Sequence, residues 1–136
     1  MASSNEIIAE LGFVTDRLST QVRAIAIGVL ALSWGILIGD STTTRDLAAE
    51  FRWHFVGIGV AAVLVMFFDF LQYVAGYFNT MRVYRKMLRD STTDAEFDQR
   101  ALLFRLRKAL FYIKMIALCA TVAWLVTTLG RWLAVS

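Results

Sequence analysis

Residues 55–78 read FVGIGVAAVLVMFFDFLQYVAGYF, and this stretch decides the fold. It is long enough to cross a hydrocarbon core of about 30 Å with some tilt, and one carboxylate, Asp69, is its only charge. Two further runs have the same character: residues 22–39, VRAIAIGVLALSWGILIG, and residues 109–129, ALFYIKMIALCATVAWLVTTL. Of the 136 residues 58% are hydrophobic and 18% charged, too apolar a mixture for a small water-soluble domain to bury in one core. The expected fold is an all-α integral membrane protein with three transmembrane helices. Residues 1–136 form a single membrane domain.

Working outward, residues 3–23 pattern as an N-terminal amphipathic helix. Ser3 and Glu6 have capping-box spacing, and Ile7, Leu11, Val14 and Leu18 form a stripe. This helix either lies on the membrane surface or extends the first span. Residues 39–46, GDSTTTRD, read as a polar turn in which Thr43 caps a new helix with Asp46 three positions on. That helix begins near Arg45 and meets no stop signal before Arg89. Residues 79–108 therefore form a long helical hairpin beyond the lipid, its first arm projecting roughly 16 Å at 1.5 Å per residue. A second turn at residues 90–94, DSTTD, opens a third helix capped by Thr93 and Glu96. In the hairpin Phe97, Ala101 and Phe104 are expected to face Tyr77, Met81, Tyr84 and Leu88. With no proline in the chain, long straight helices are expected. Cys119, the only cysteine, reads as a small packed side chain.

Orientation follows from arginine and lysine near the span ends. The hairpin carries Arg82, Arg85, Lys86, Arg89, Arg100, Arg105, Arg107 and Lys108, and the N-terminal segment adds Arg17 and Arg23; the other side has Arg45, Arg52 and Arg131. The N-terminus and hairpin are thus expected in the cytoplasm and the C-terminus outside, in a cell (inner) membrane. No basic start followed by a small-residue cleavage site precedes the first apolar run, so the first helix is expected in the mature protein.

Asp69 is the most informative residue, because a carboxylate near the bilayer midplane costs roughly 3 kcal/mol or more unless compensated. At 100° per residue His54, Ala61, Asp69, Gln72, Gly76 and Asn79 share one face, expected to look inward. Val60, Val63, Phe67, Phe70, Leu71, Val74 and Phe78 occupy the other, expected to look at lipid. Lys114, inside the third span, either turns toward Asp69 or snorkels to the interface; Ala117, Thr121 and Thr128 continue its small and polar face. Asp69, Lys114, Gln72, Thr121 and Asn79 are therefore the candidates for a pore lining or an intramembrane ion pair. Their alternative role is hydrogen-bonded packing between helices.

Ala24, Gly28, Ala31, Gly35 and Gly39 form a helix-packing stripe on the first span, suited equally to intrachain contact and to self-association. Arg82, Arg85, Lys86, Arg89, Arg105, Arg107 and Lys108 make a basic patch. The positive-inside rule accounts for it, and anionic lipid or a cytosolic partner would fit it. Trp53 and Trp132 fit an interfacial belt, whereas Trp34 and Trp124 lie deeper and pack. His54 is the only histidine and reads as a polar residue at the outer interface. With no phosphate loop and no metal-ligand motif, neither an enzyme nor a cofactor, metal or nucleic-acid partner is expected.

The expected function is a homo-oligomeric pore or ion-conducting assembly whose inward faces, carrying Asp69, Gln72 and Thr121, meet around a shared axis, gated through the basic hairpin. Two alternatives stand beside it. One is a non-catalytic anchor or accessory subunit of a larger membrane complex; the other is a small proton-coupled transporter titrating Asp69.

Overall fold

A computed structural model describes residues 4–90 and 102–135. The described residues form three helices, α1 (Ser4–Ile38), α2 (Thr42–Asp90) and α3 (Leu102–Val135). All three are long and apolar enough to cross a membrane, over Phe13–Ile38, Thr42–Lys86 and Arg105–Ala134. In these apolar stretches only 28%, 33% and 28% of residues are buried. Large side chains such as Phe67, Phe70, Ile116 and Val126 point outward along the helices. Water would not tolerate that surface, whereas acyl chains do. The protein is membrane-embedded.

α1 is continuous, so the amphipathic segment extends the first span and does not form a separate surface helix. α2 begins earlier than the Thr43 cap implies. Ser41 is the N-cap: its Oγ accepts from the Thr44 amide at 3.1 Å, and the Thr44 hydroxyl donates to the Ser41 carbonyl at 2.9 Å. The run of four hydroxyl residues offers several caps, and the earliest one prevails. α2 is not straight throughout, because Phe51 departs from helical geometry at φ −117°, ψ 21°. Neither proline nor glycine stands there, and Phe51 is buried in the core. The turn at residues 90–94, the Thr93–Glu96 cap and the contacts expected of Phe97 and Ala101 lie outside the described residues, as do the side chain of Phe104 and Arg100. Tyr77, Met81, Tyr84 and Leu88 are exposed.

α2 is the central element, packing against both α1 and α3, which barely touch one another. The three run antiparallel in chain order. Asp16 meets Tyr73 near one end of the α1–α2 pair, and Ser33 lies opposite Gly59 further along. The buried positions have a common period. On α1 they are Ser19, Val22, Ala26, Val29, Ser33 and Ile36; on α2 Phe51, Phe55, Ile58, Ala62, Val65, Asp69 and Gln72; on α3 Leu110, Lys114, Leu118, Thr121, Leu125 and Thr128. Steps of three and four alternate almost without exception, the 3.5-residue seam of coiled-coil packing.

The seam fills in two apolar layers. Near the α1–α2 turn, Ile36, Leu47, Phe51, Phe55, Ile58 and Leu125 pack with neighbours that include Trp132; further along, Val22, Ala26, Val65 and Leu118 close on one another. The turn half of α2 therefore turns Phe55, Ile58 and Ala62 inward, a finer phase than the His54 and Ala61 face suggested. Buried hydroxyls are satisfied within their own helices, Ser33 to the Val29 carbonyl (2.8 Å), Thr121 to Ala117 (2.7 Å) and Thr128 to Trp124 (2.9 Å). Cys119 is exposed on α3 and is not packed inside the protein.

Two glycines separate packing from mere presence. A Cβ on Gly57 would meet the Trp124 ring at 2.7 Å, whereas one on Gly28 would have nothing within 4 Å. Gly57→Val is expected to destabilise the bundle by about 1–3 kcal/mol through overpacking, and Gly28→Ala to be neutral or to stabilise by up to about 1 kcal/mol. Unfolding followed by tryptophan fluorescence in mild detergent checks both; equal losses at the two positions would contradict the packing described.

Candidate functional site

The seam brings three chemically unusual residues together where all three helices meet. Asp69 on α2 is 2% exposed and Lys114 on α3 is 0% exposed, and Lys114 Nζ donates to Asp69 Oδ1 at 2.5 Å. Ser19 on α1 completes a triangle: its hydroxyl donates to the same Oδ1 and accepts from Lys114 Nζ at 2.7 Å. Arg23, one turn further along α1, donates from Nε (3.2 Å) and Nη2 (2.8 Å) to Asp69 Oδ2. Both carboxylate oxygens are thus saturated by charge-assisted or hydroxyl donors from two neighbouring helices.

The aliphatic stem of Lys114 runs along the seam, and its ammonium also lies over the Phe111 ring at 5.3 Å. Its fully buried amine turns to Asp69 and does not snorkel. One helical turn away, Val22, Val65 and Leu118 form the apolar layer that separates the cluster from the rest of the core. Arg23 differs from Lys114 in that its side chain is 48% exposed; it lies over the Tyr73 ring at 5.5 Å, and Tyr73 donates to Asp16 at 3.2 Å.

From Arg23, which pairs with Asp69, to the end of α1 at Ile38 is about 22 Å of helix.

Gln72 and Asn79 are buried on the same face as Asp69, as the helical phase implies. Gln72 Oε1 has no hydrogen-bond partner among the described residues, and Gln72 lines a cavity of about 330 Å3 with Ser19, Gly76, Thr80 and Arg107. Thr121 is also buried, two turns along α3 from Lys114, with its hydroxyl committed to its own helix. Asp69, Gln72 and Thr121 are therefore enclosed within one chain, between its own helices, and do not form an outward face that a second protomer would meet.

The small-residue stripe has the opposite placement. Ala24, Gly28, Ala31 and Gly35 all face outward, and only Gly39 is close to another element, at Thr44 in the turn. They do not mediate intrachain packing, because α1 uses the Ser19 to Ile36 seam instead. Arg82, Arg85, Lys86, Arg89, Arg105, Arg107 and Lys108 are exposed, and none pairs with a described acid. Trp124 packs as expected and donates to His54 Nδ1 at 3.1 Å, while Trp34 is 54% exposed.

No family model, curated protein or solved structure matches the chain. The cluster itself therefore carries the functional reading.

Ser19 and Arg23 are the site residues that sequence spacing did not assign. Their signal was their separation of four on α1, one turn of helix, with Ser19 in register with Val22, Ala26 and Val29. Removing single partners orders their contributions. Asp69→Asn leaves the fully buried Lys114 ammonium without a counter-charge and is expected to cost about 5 kcal/mol. Lys114→Met leaves Asp69 with Arg23 and Ser19 and is expected to cost less, about 3 kcal/mol. The double variant should lose clearly less than the sum. Strictly additive losses in detergent unfolding would show that the two side chains do not act as a pair.

Proposed function

We propose that the chain is a non-catalytic, three-span membrane anchor or accessory subunit, with its N-terminus and basic end in the cytoplasm. One observation carries this reading: the charged side chains of the cluster and the Thr121 hydroxyl, which a conducting path would use, are committed within a single protomer. Asp69 has four donors on its two oxygens, Lys114 is fully enclosed, and Thr121 is bonded to its own helix. Such an arrangement holds helices together in lipid, where apolar surface supplies no preference for a protein neighbour over an acyl chain.

The docking element in this reading is the basic end, where Arg82, Arg85, Lys86, Arg89, Arg105, Arg107 and Lys108 present exposed positive charge at the ends of the second and third apolar stretches. Such a surface suits an acidic partner or anionic headgroups. A proton-coupled role for Asp69 would require the carboxylate to exchange partners during turnover, and its saturation by Ser19, Arg23 and Lys114 speaks for a fixed role.

A homo-oligomeric pore is the second reading, and one feature favours it. The outward stripe of Ala24, Gly28, Ala31 and Gly35 would let a helix of a second copy approach closely. Its conducting surface would then have to come from side chains other than the enclosed ones.

Planar-bilayer recording of the purified full-length chain separates the two. The anchor reading expects no conductance above that of the bare bilayer, and a mass in mild detergent that Gly28→Leu and Gly35→Leu leave unchanged. Stepwise conductance abolished by either substitution would overturn it in favour of the pore.

A further inference from the structure

A cavity lies away from the charge cluster, between the end of α1 and the first half of α2. It is a groove of about 800 Å3, open along one side, whose walls are apolar over Trp34, Leu37, Val60, Val63 and Leu64. Gly59 forms part of its floor; a Cβ there would sit 3.7 Å from Leu30 and 3.8 Å from Trp34 Nε1. Arg45 and Arg52 line its mouth, near the α1–α2 turn. Arg45 is shared with Asp40 at 3.2 Å, and Arg52 has no hydrogen-bond or ion-pair partner among the described residues.

We propose that this groove holds one acyl chain of an anionic phospholipid, with the lipid phosphate against Arg52 and Arg45. Three features of the groove select that occupant. Its length suits one leaflet: Arg52 to Leu64 spans about 18 Å of helix, close to the roughly 15 Å half-thickness of the hydrocarbon core. Its chemistry is divided as a phospholipid's is, with cationic groups at the interfacial end and hydrocarbon walls below. Its charge also disfavours the obvious competitor. A second copy docking symmetrically through this face would set arginines against arginines at the edge of a low-dielectric medium, whereas a phosphate neutralises them.

The indole of Trp34 adds an element of recognition. Trp34 borders the groove with Nε1 3.8 Å from where a Cβ on Gly59 would stand, and no hydrogen bond among the described residues uses that donor, which leaves it for a polar group of the lipid. Asp46 and Glu50, the acids on this part of α2, do not line the groove, so Asp40 is the only carboxylate that competes for its mouth among the described residues.

The test is native mass spectrometry of the full-length chain in mild detergent, titrated separately with phosphatidylglycerol and phosphatidylcholine. The expected result is a single phosphatidylglycerol bound about tenfold more tightly than phosphatidylcholine. Arg52→Gln should abolish the preference while leaving phosphatidylcholine binding unchanged, and Arg52→Lys should retain most of it. Arg52 is exposed and unpaired, so neither substitution threatens the fold. Val63→Trp, which enlarges an exposed side chain of the groove wall, should weaken both lipids. Equal binding of the two lipids overturns the proposal. So does a preference that survives Arg52→Gln but disappears with Arg82→Gln and Arg85→Gln, since that places the lipid at the basic end. Displacement by inorganic phosphate alone would show an anion site that makes no use of the groove. A disulfide between two copies of Val60→Cys, made in a Cys119→Ser background, would show the groove covered by a second chain. Either result overturns it.

Discussion

A carboxylate inside a bilayer must be answered by the protein around it, and in this chain the answer ties all three helices together. Asp69 belongs to α2, yet its oxygens are satisfied by Ser19 and Arg23 from α1 and by Lys114 from α3. α1 and α3 scarcely touch elsewhere, so the cluster is where they are joined directly as well as through α2. An apolar residue at position 69 would leave Lys114 enclosed and unpaired, which is worse than either charge with its partner. Once one charge of such a pair is present at this depth, the arrangement of the others follows.

The rest of the packing is compatible with that joint without being able to specify it. In lipid the outward faces of helices are as apolar as their contacts, so burial of hydrocarbon gives little preference for one helix rotation over another. The alternating steps of three and four along each buried seam supply close fit, and Gly57 beneath the Trp124 ring is an instance of it. What selects the rotation is the placement of the polar side chains that bond across helices, Ser19 and Arg23 on α1, Asp69 on α2 and Lys114 on α3. Hydrocarbon layers fill the seam beyond them.

That division explains which features could be read from the amino-acid sequence. The three spans were legible because length and apolarity are local properties, and the inward direction of Asp69, Gln72 and Asn79 followed from helical phase. Lys114 was legible as a partner because it was the only opposite charge within the apolar part of the third span. Ser19 and Arg23 were not, because their role depends on α1 continuing unbroken past the span boundary to run beside α2, and an amphipathic pattern is equally consistent with a helix lying on the surface. The Gly28 and Gly35 stripe left two roles open, and of these intrachain contact falls away: small residues permit close approach but do not require it, and a seam of Val22, Ala26 and Val29 was available on another face. The kink at Phe51 left no trace in composition, since neither proline nor glycine marks it.

The two cations that answer Asp69 are not equivalent, and their difference follows from side-chain chemistry as much as from position. Lys114 presents a compact ammonium on a flexible stem, and it reaches the least exposed oxygen from a helix position with no exposure at all, its remaining donors directed to Ser19. Arg23 approaches from the half-open side, where a planar guanidinium can bond the second oxygen with two nitrogens while its far edge stays over Tyr73 and in contact with polar surroundings. With one carboxylate between two cations, the cluster has a surplus positive charge, and that surplus lies on the exposed arginine. A charge pair closed on the inside by lysine and screened on the outside by arginine keeps its desolvated part neutral. It leaves the unbalanced charge where lipid headgroups or water can reach it, and this is how an acid and a base persist together at a depth where neither would persist alone.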